Sequence, residues 1–123
     1  MGMKKYMLAF CLAGLMAAPV CAENLWQYND YTQVDMETAS VKMEKGMKVL
    51  RFDTIETIGD SVSYCKYVYN VDEQTIQLEE MRTKTKKSEY VSNFWPEKIQ
   101  NGNKVIQDRA DMANAVLAKK ENK

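Results

Sequence analysis

The chain has no histidine. That absence removes the commonest general base near neutral pH, the Ser–His and Cys–His nucleophile pairs, and most transition-metal ligand sets. Glycine is scarce: of five, only Gly46, Gly59 and Gly102 fall beyond residue 22, too far apart for a phosphate-cradling loop. The longest apolar run, Met7–Met16, falls short of the roughly 20 residues a bilayer span needs, and no later stretch is apolar enough. Carboxylates are plentiful, but Asp72-Glu73 and Glu79-Glu80 are sequence neighbours. Strand neighbours point to opposite faces, so no two-carboxylate site is expected from them. Asp108 and Asp111 share one side of a helix and read as partners of its dipole. The expectation is a non-enzyme with no cofactor and no metal site.

Cysteine is limited to Cys11, Cys21 and Cys65. The first two lie in a segment that reads as an export signal. Lys4 and Lys5 precede the apolar run, and Val20-Cys21-Ala22 offers small residues for cleavage before Glu23. Ala18-Pro19-Val20 is a poor setting for lipid attachment at Cys21, so simple cleavage is expected rather than a lipoprotein. The expected organisation is therefore a signal peptide over 1–22 and a single domain over 23–123, exported to the periplasm or cell surface. Cys65 would then have no partner for an intramolecular disulfide, and its place in an apolar strand predicts a buried, inert thiol. Lys4 and Lys5 leave with the leader, so the equal totals of 17 basic and 17 acidic residues become a net charge near −2. That balance argues against nucleic acid as a partner.

The remaining chain is rich in β-formers. Met47–Ile58 and Tyr64–Val71 are dominated by Val, Ile, Phe, Tyr and Thr, lack proline, and flank a polar turn at Gly59, Asp60 and Ser61. In the first run Leu50, Phe52 and Thr54 alternate with Arg51 and Asp53; Ile55 interrupts the pattern, which predicts a bulge or burial on both faces. In the second, Cys65, Tyr67, Tyr69 and Val71 form the expected core face. Upstream, Tyr31–Asp35 reads as a strand, Met36–Ser40 as an irregular turn, and Val41–Glu44 as one arm of a hairpin turning at Lys45-Gly46. Downstream, Thr75–Thr85 and Glu89–Phe94 read as strands before Trp95-Pro96. The period then changes. Ile106, Ala110, Ala113 and Leu117 make a helical stripe within Lys104–Lys120, with Val116 beside it and Asn103 as N-cap. The predicted fold is α+β: an antiparallel sheet of about five to six strands with one C-terminal helix packed on it.

Two features could carry binding. The first is the basic run Arg82, Lys84, Lys86, Lys87, which reads either as a solvated hairpin that blunts sheet aggregation or as a patch for an acidic partner. The second is the aromatic set Trp26, Tyr28, Tyr31, Tyr64, Tyr67, Tyr69, Tyr90, Phe94 and Trp95. Most of these are expected in the core, and any left exposed around Tyr64 would form a contact surface.

In order and punctuation the chain resembles the surface-adhesin protein E family of exported bacterial proteins. Trp26 and Tyr28 lead into Tyr31–Asp35. Ala39-Ser40-Val41 then opens a hairpin and the long strand ending Phe52-Asp53, and the Cys65 strand follows. Trp95, Ile99 and Asn101-Gly102-Asn103 precede the last helix. The resemblance implies a helix-backed antiparallel sheet, binding of host extracellular proteins, and self-association as a homodimer. Family members commonly carry a helix cysteine that pairs with the strand cysteine, and Ala113–Ala118 contains none. The expected function is an exported, non-catalytic binding module of the envelope with a host or envelope protein as partner. The alternative is a periplasmic inhibitor or accessory subunit of another envelope protein.

Overall fold

A computed structural model describes residues 24–122; the expected leader, with Cys11 and Cys21, lies outside the described residues. The organising element is β3 (Met47–Ile58), whose bounds coincide with the β-rich run read from the sequence. It pairs without interruption with β4 (Ser61–Asn70), from Val49↔Asn70 to Ile58↔Ser61. Gly59, at φ 58, opens the turn between them. On the other side β3 pairs with β2 (Thr32–Glu44) through a turn at Lys45 and Gly46. Both turn residues have positive φ, 53° and 79°, the backbone that a tight hairpin following the sheet twist requires.

The sheet continues as a meander. β1 (Leu25–Asn29) pairs with β2, β5 (Thr75–Lys84) with β4, and β6 (Glu89–Ser92) with β5. A two-residue β7 (Glu97–Lys98) joins the far end of β5, giving seven antiparallel strands among the described residues. The count exceeds the expected five to six because β1 and β7 are strands in their own right. The segments 31–35 and 41–44, in turn, belong to one strand. Met36–Ser40, expected as an irregular turn, is a bulge inside β2, where the register jumps from Asp35↔Asp53 to Ser40↔Arg51. Side chains replace the lost ladder bonds. Thr38 Oγ1 donates to the Asp35 carbonyl (2.8 Å) and accepts from the Asp53 N–H (2.8 Å), while Asp35 Oδ1 accepts from the Glu37 N–H (3.1 Å).

Helix α1 (Lys104–Glu121) packs across one face of the sheet. Asn103 caps it as expected, its side chain accepting from the Ile106 N–H at 3.0 Å. The buried helix residues are Ile106, Ala110, Met112, Ala113 and Val116, with Leu117 only half-buried. The stripe is therefore rotated from its expected axis toward Met112 and Val116. Lys119 and Lys120 occupy the last turn, but the first turn has no acid, so Asp108 and Asp111 lie beyond the dipole's strongest reach. Asp108 instead pairs with Lys104 one turn back, at 3.2 Å. The helix C-terminus is tied down by Lys48–Glu121 at 2.6 Å and by Lys119 stacked 4.9 Å over the Trp26 ring.

The approach to the helix depends on Gly102. A Cβ there would stand 2.7 Å from Ile106 Cγ2 and 3.1 Å from the Ile99 carbonyl. Gly102→Ala is expected to destabilise the domain by about 1–3 kcal/mol through overpacking, read as a lowered denaturation midpoint with an unchanged slope. An unaltered midpoint would show that the segment before the helix yields freely.

Candidate functional site on the open face of the sheet

Alternation on β3, β4 and β5 sorts side chains onto two faces. Leu50, Phe52, Thr54, Cys65, Tyr67, Tyr69, Ile76 and Leu78 are buried on the helix side. Polar atoms within this core are paired: Tyr67 Oη donates to Glu56 at 2.8 Å, Thr54 Oγ1 donates to the same carboxylate at 3.0 Å, and Tyr69 Oη donates to Asn114 at 2.8 Å. Cys65 is 1% exposed. Burial, and then the nearby Glu56 carboxylate, push its thiol up to about 12. At neutral pH it is therefore a protonated, enclosed thiol. A thiol reagent is expected to label it only after denaturation, and fast labelling of the folded protein would contradict the burial.

Among the described residues no helix covers the opposite face, which carries a different set. Arg51, Asp53 and Ile55 of β3, Tyr64 and Lys66 of β4, and Arg82 and Lys84 of β5 stand on it in cross-strand rows. One row runs Asp35, Asp53, Lys66, Glu80; the next runs Gln33, Ile55, Tyr64, Arg82; a third places Lys84 opposite Val62, with Glu89 beyond it. All of these row residues except Gln33 and Val62 line a groove of about 460 Å³. Ile55, 8% exposed, is part of its floor. The β3–β4 register is unbroken there, so the sequence irregularity at Ile55 reflects burial on both faces rather than a bulge.

A bulge does occur in β5. Lys66 opposes Glu80 while Tyr67 opposes Leu78, leaving Glu79 as the extra residue. Both carboxylates therefore reach arginines: Glu79 approaches Arg51 at 3.7 Å and Glu80 approaches Arg82 at 3.7 Å. The expectation that these neighbours point to opposite faces fails because an inserted residue resets the pleat.

The groove's charges are mostly matched. Lys66 meets Asp53 at 3.6 Å, and Arg82 meets Glu89 at 3.5 Å as well as Glu80. Among the described residues, Asp35 and Lys84 form no ion pair. Burial raises the Asp53 carboxyl above its usual range, against the opposing pull of Lys66. Burial also raises Asp35, against hydrogen bonds from the Glu37 and Thr38 backbone. Acids with raised folded-state pKa values favour folding at low pH and lose that contribution as pH rises above about 4. Glu44, lowered chiefly by its hydrogen bond to Arg51, acts in the opposite sense.

The basic run is divided by the strand end. Arg82 and Lys84 lie on β5 and line the groove, whereas Lys86 and Lys87 occupy the β5–β6 turn. Lys86 approaches Asp60 at 3.5 Å, and Arg82 is flanked by two carboxylates, so the four cations do not act as one bare patch. The aromatic set divides as well. Tyr67 and Tyr69 are buried, and Trp26 and Tyr28 pack against the core. Tyr64 is half-buried in the groove wall. Tyr31, Tyr90, Phe94 and Trp95 are exposed, Trp95 by 84%. Fewer aromatics are core than expected because Tyr31 lies in the β1–β2 turn and Tyr90, Phe94 and Trp95 lie on edge strand β6 and the segment after it. Asp35, Asp53, Ile55 and Lys66 were not among the candidate binding residues read from the sequence. Their alternation on β2, β3 and β4 was visible, but only the register joins them in one groove.

Among the described residues, no three His, Cys, Asp or Glu side chains come together in a metal-holding arrangement, and no helix is long and apolar enough to cross a membrane. The described residues form a small α+β domain with a helix packed on one sheet face and, among those residues, no layer on the other. Comparison with protein-family models, with curated proteins and with solved structures finds no match.

Proposed function

We propose that this chain is an exported, non-catalytic binding module of the cell envelope, of the surface-adhesin protein E type. Its contact surface is the open sheet face together with the β5–β6 turn. The observation that supports this most is the groove of about 460 Å³ on that face. A groove of this size combines an apolar floor with convergent charged groups, the usual make-up of a recognition site. Tyr64 and Arg82 line it, and these residue types are enriched at protein contacts. The partner is a protein, either a host extracellular protein or another envelope component.

The test is site-specific photo-crosslinking in intact cells that make the protein. A crosslinker in place of Tyr64 is expected to trap a defined protein adduct, identified by mass spectrometry, while one in place of exposed Gln107 on the helix does not. Equal adducts from both positions, or none from Tyr64, would overturn the reading. Proteinase treatment of the same cells then separates the two partner classes: digestion places the module on the outer surface, and protection places it with a periplasmic partner.

A further inference from the structure

We propose that the groove binds an extended peptide segment carrying a basic and an acidic side chain about six residues apart, the basic one at Asp35 and the acidic one at Lys84. This rests on the reading of the open face as the contact surface and names the ligand class it takes. Every other charge in the groove has a partner: Asp53 with Lys66, and Arg82 with Glu80 and Glu89. Among the described residues Asp35 and Lys84 are left over, with opposite signs and at opposite corners of the paired rows.

The register sets their separation. Asp35 shares a row with Asp53, Lys66 and Glu80, so it stands three strands from β5, and Lys84 pairs with Val62, four residues along β4 from Lys66. With strands about 4.8 Å apart and a rise of about 3.4 Å per residue, the two positions are roughly 20 Å apart on the diagonal. An extended chain covers that distance in about six residues. A single amino acid or a small zwitterion is too short to meet both ends. Ile55 and Tyr64 lie between the two corners and offer an apolar strip for the middle of the segment. A polymer of one sign is repelled at one end of the groove, so the arrangement selects against polyanions and polycations alike.

The probes are three end-blocked peptides with the same Ser/Val/Thr body. One carries Lys and Glu six positions apart, one carries two Lys, and one carries two Glu. Binding is read from amide chemical-shift changes in the isotope-labelled protein at low salt. The mixed peptide is expected to shift resonances of Ile55, Tyr64, Lys66 and Lys84 saturably and to bind more tightly than either same-charge peptide. Asp35→Asn keeps an acceptor for the Glu37 N–H, and Lys84→Gln keeps the strand. Each is expected to weaken the mixed peptide about two- to fivefold, the scale of one exposed ion pair. Lys84→Glu is expected to switch the preference to the two-Lys peptide. Equal binding of all three peptides, or an unchanged order in Lys84→Glu, overturns the proposal. If the mixed peptide gives no saturable shift while Tyr64 still crosslinks a protein partner, the peptide assignment fails and the binding-module reading stands.

Discussion

Val116→Asp is expected to abolish cooperative thermal unfolding at neutral pH. Val116 is fully enclosed, at 0% exposure, in the cluster that also holds Leu50, Tyr69, Leu78 and Ala113. A carboxylate placed there loses its hydration, which costs several kcal/mol for an unpaired ion even after relaxation. The whole stability of a small domain is of order 5–15 kcal/mol. The damage should also depend on pH in a defined direction. The new carboxyl has a folded-state pKa raised above the unfolded value near 3.9, so its penalty is absent below that value and grows as pH rises. Relative to the unaltered protein, the variant is therefore expected to recover near pH 3 and fail near pH 7, measured by near-UV circular dichroism. Leu117→Asp is the comparison. Leu117 is half-buried at the margin of the helix, where the carboxylate can reach water, so a cooperative transition at reduced temperature is expected. Equal losses from the two substitutions would mean that the helix faces the sheet along the axis read from periodicity alone.

Phe52→Ala is expected to cost about 3–5 kcal/mol, the usual range for truncating a buried aromatic. Phe52 is 1% exposed and stacks on Tyr67 with ring centroids 5.2 Å apart and planes 18° apart. The two are cross-strand partners on β3 and β4, so the substitution removes both core volume and the pair that joins the two central strands. For a domain of this size the melting temperature should fall on the order of 20 °C. Urea unfolding measures the free energy directly. A loss below about 1 kcal/mol would show that the core collapses around the site and that the stacking contributes little.

What the sequence determined by itself is local. Period-two alternation marked β3 from Met47 to Ile58. The Lys45-Gly46 pair marked a turn that only positive φ can make, and helical spacing after Asn103 marked α1 with its cap. Each signal depends on residues a few positions apart, and steric preference and amphipathicity act at that range. The burial of Cys65 was legible for the same reason, since it alternates with Tyr67 and Tyr69 on one strand face.

Tertiary structure decided everything that depended on which strand lies beside which, and in what register. The polar run Met36–Ser40 looked like a break, but β3 holds it as a bulge: the Asp53 N–H supplies a bond to Thr38 from 15 residues away. The bulge at Glu79 set two neighbouring carboxylates on one face, contrary to strand alternation. Tyr90, Phe94 and Trp95 stayed outside because β6 and the segment after it lie at the sheet edge: Tyr90 stands opposite buried Thr83, on the helix side, yet is 50% exposed, a limit that hydrophobicity along the chain does not encode. The groove itself is non-local. Asp35, Asp53, Tyr64 and Lys84 come from four different strands, and only hydrogen-bond register, which slips every side chain to the other face if moved by one residue, brings them together.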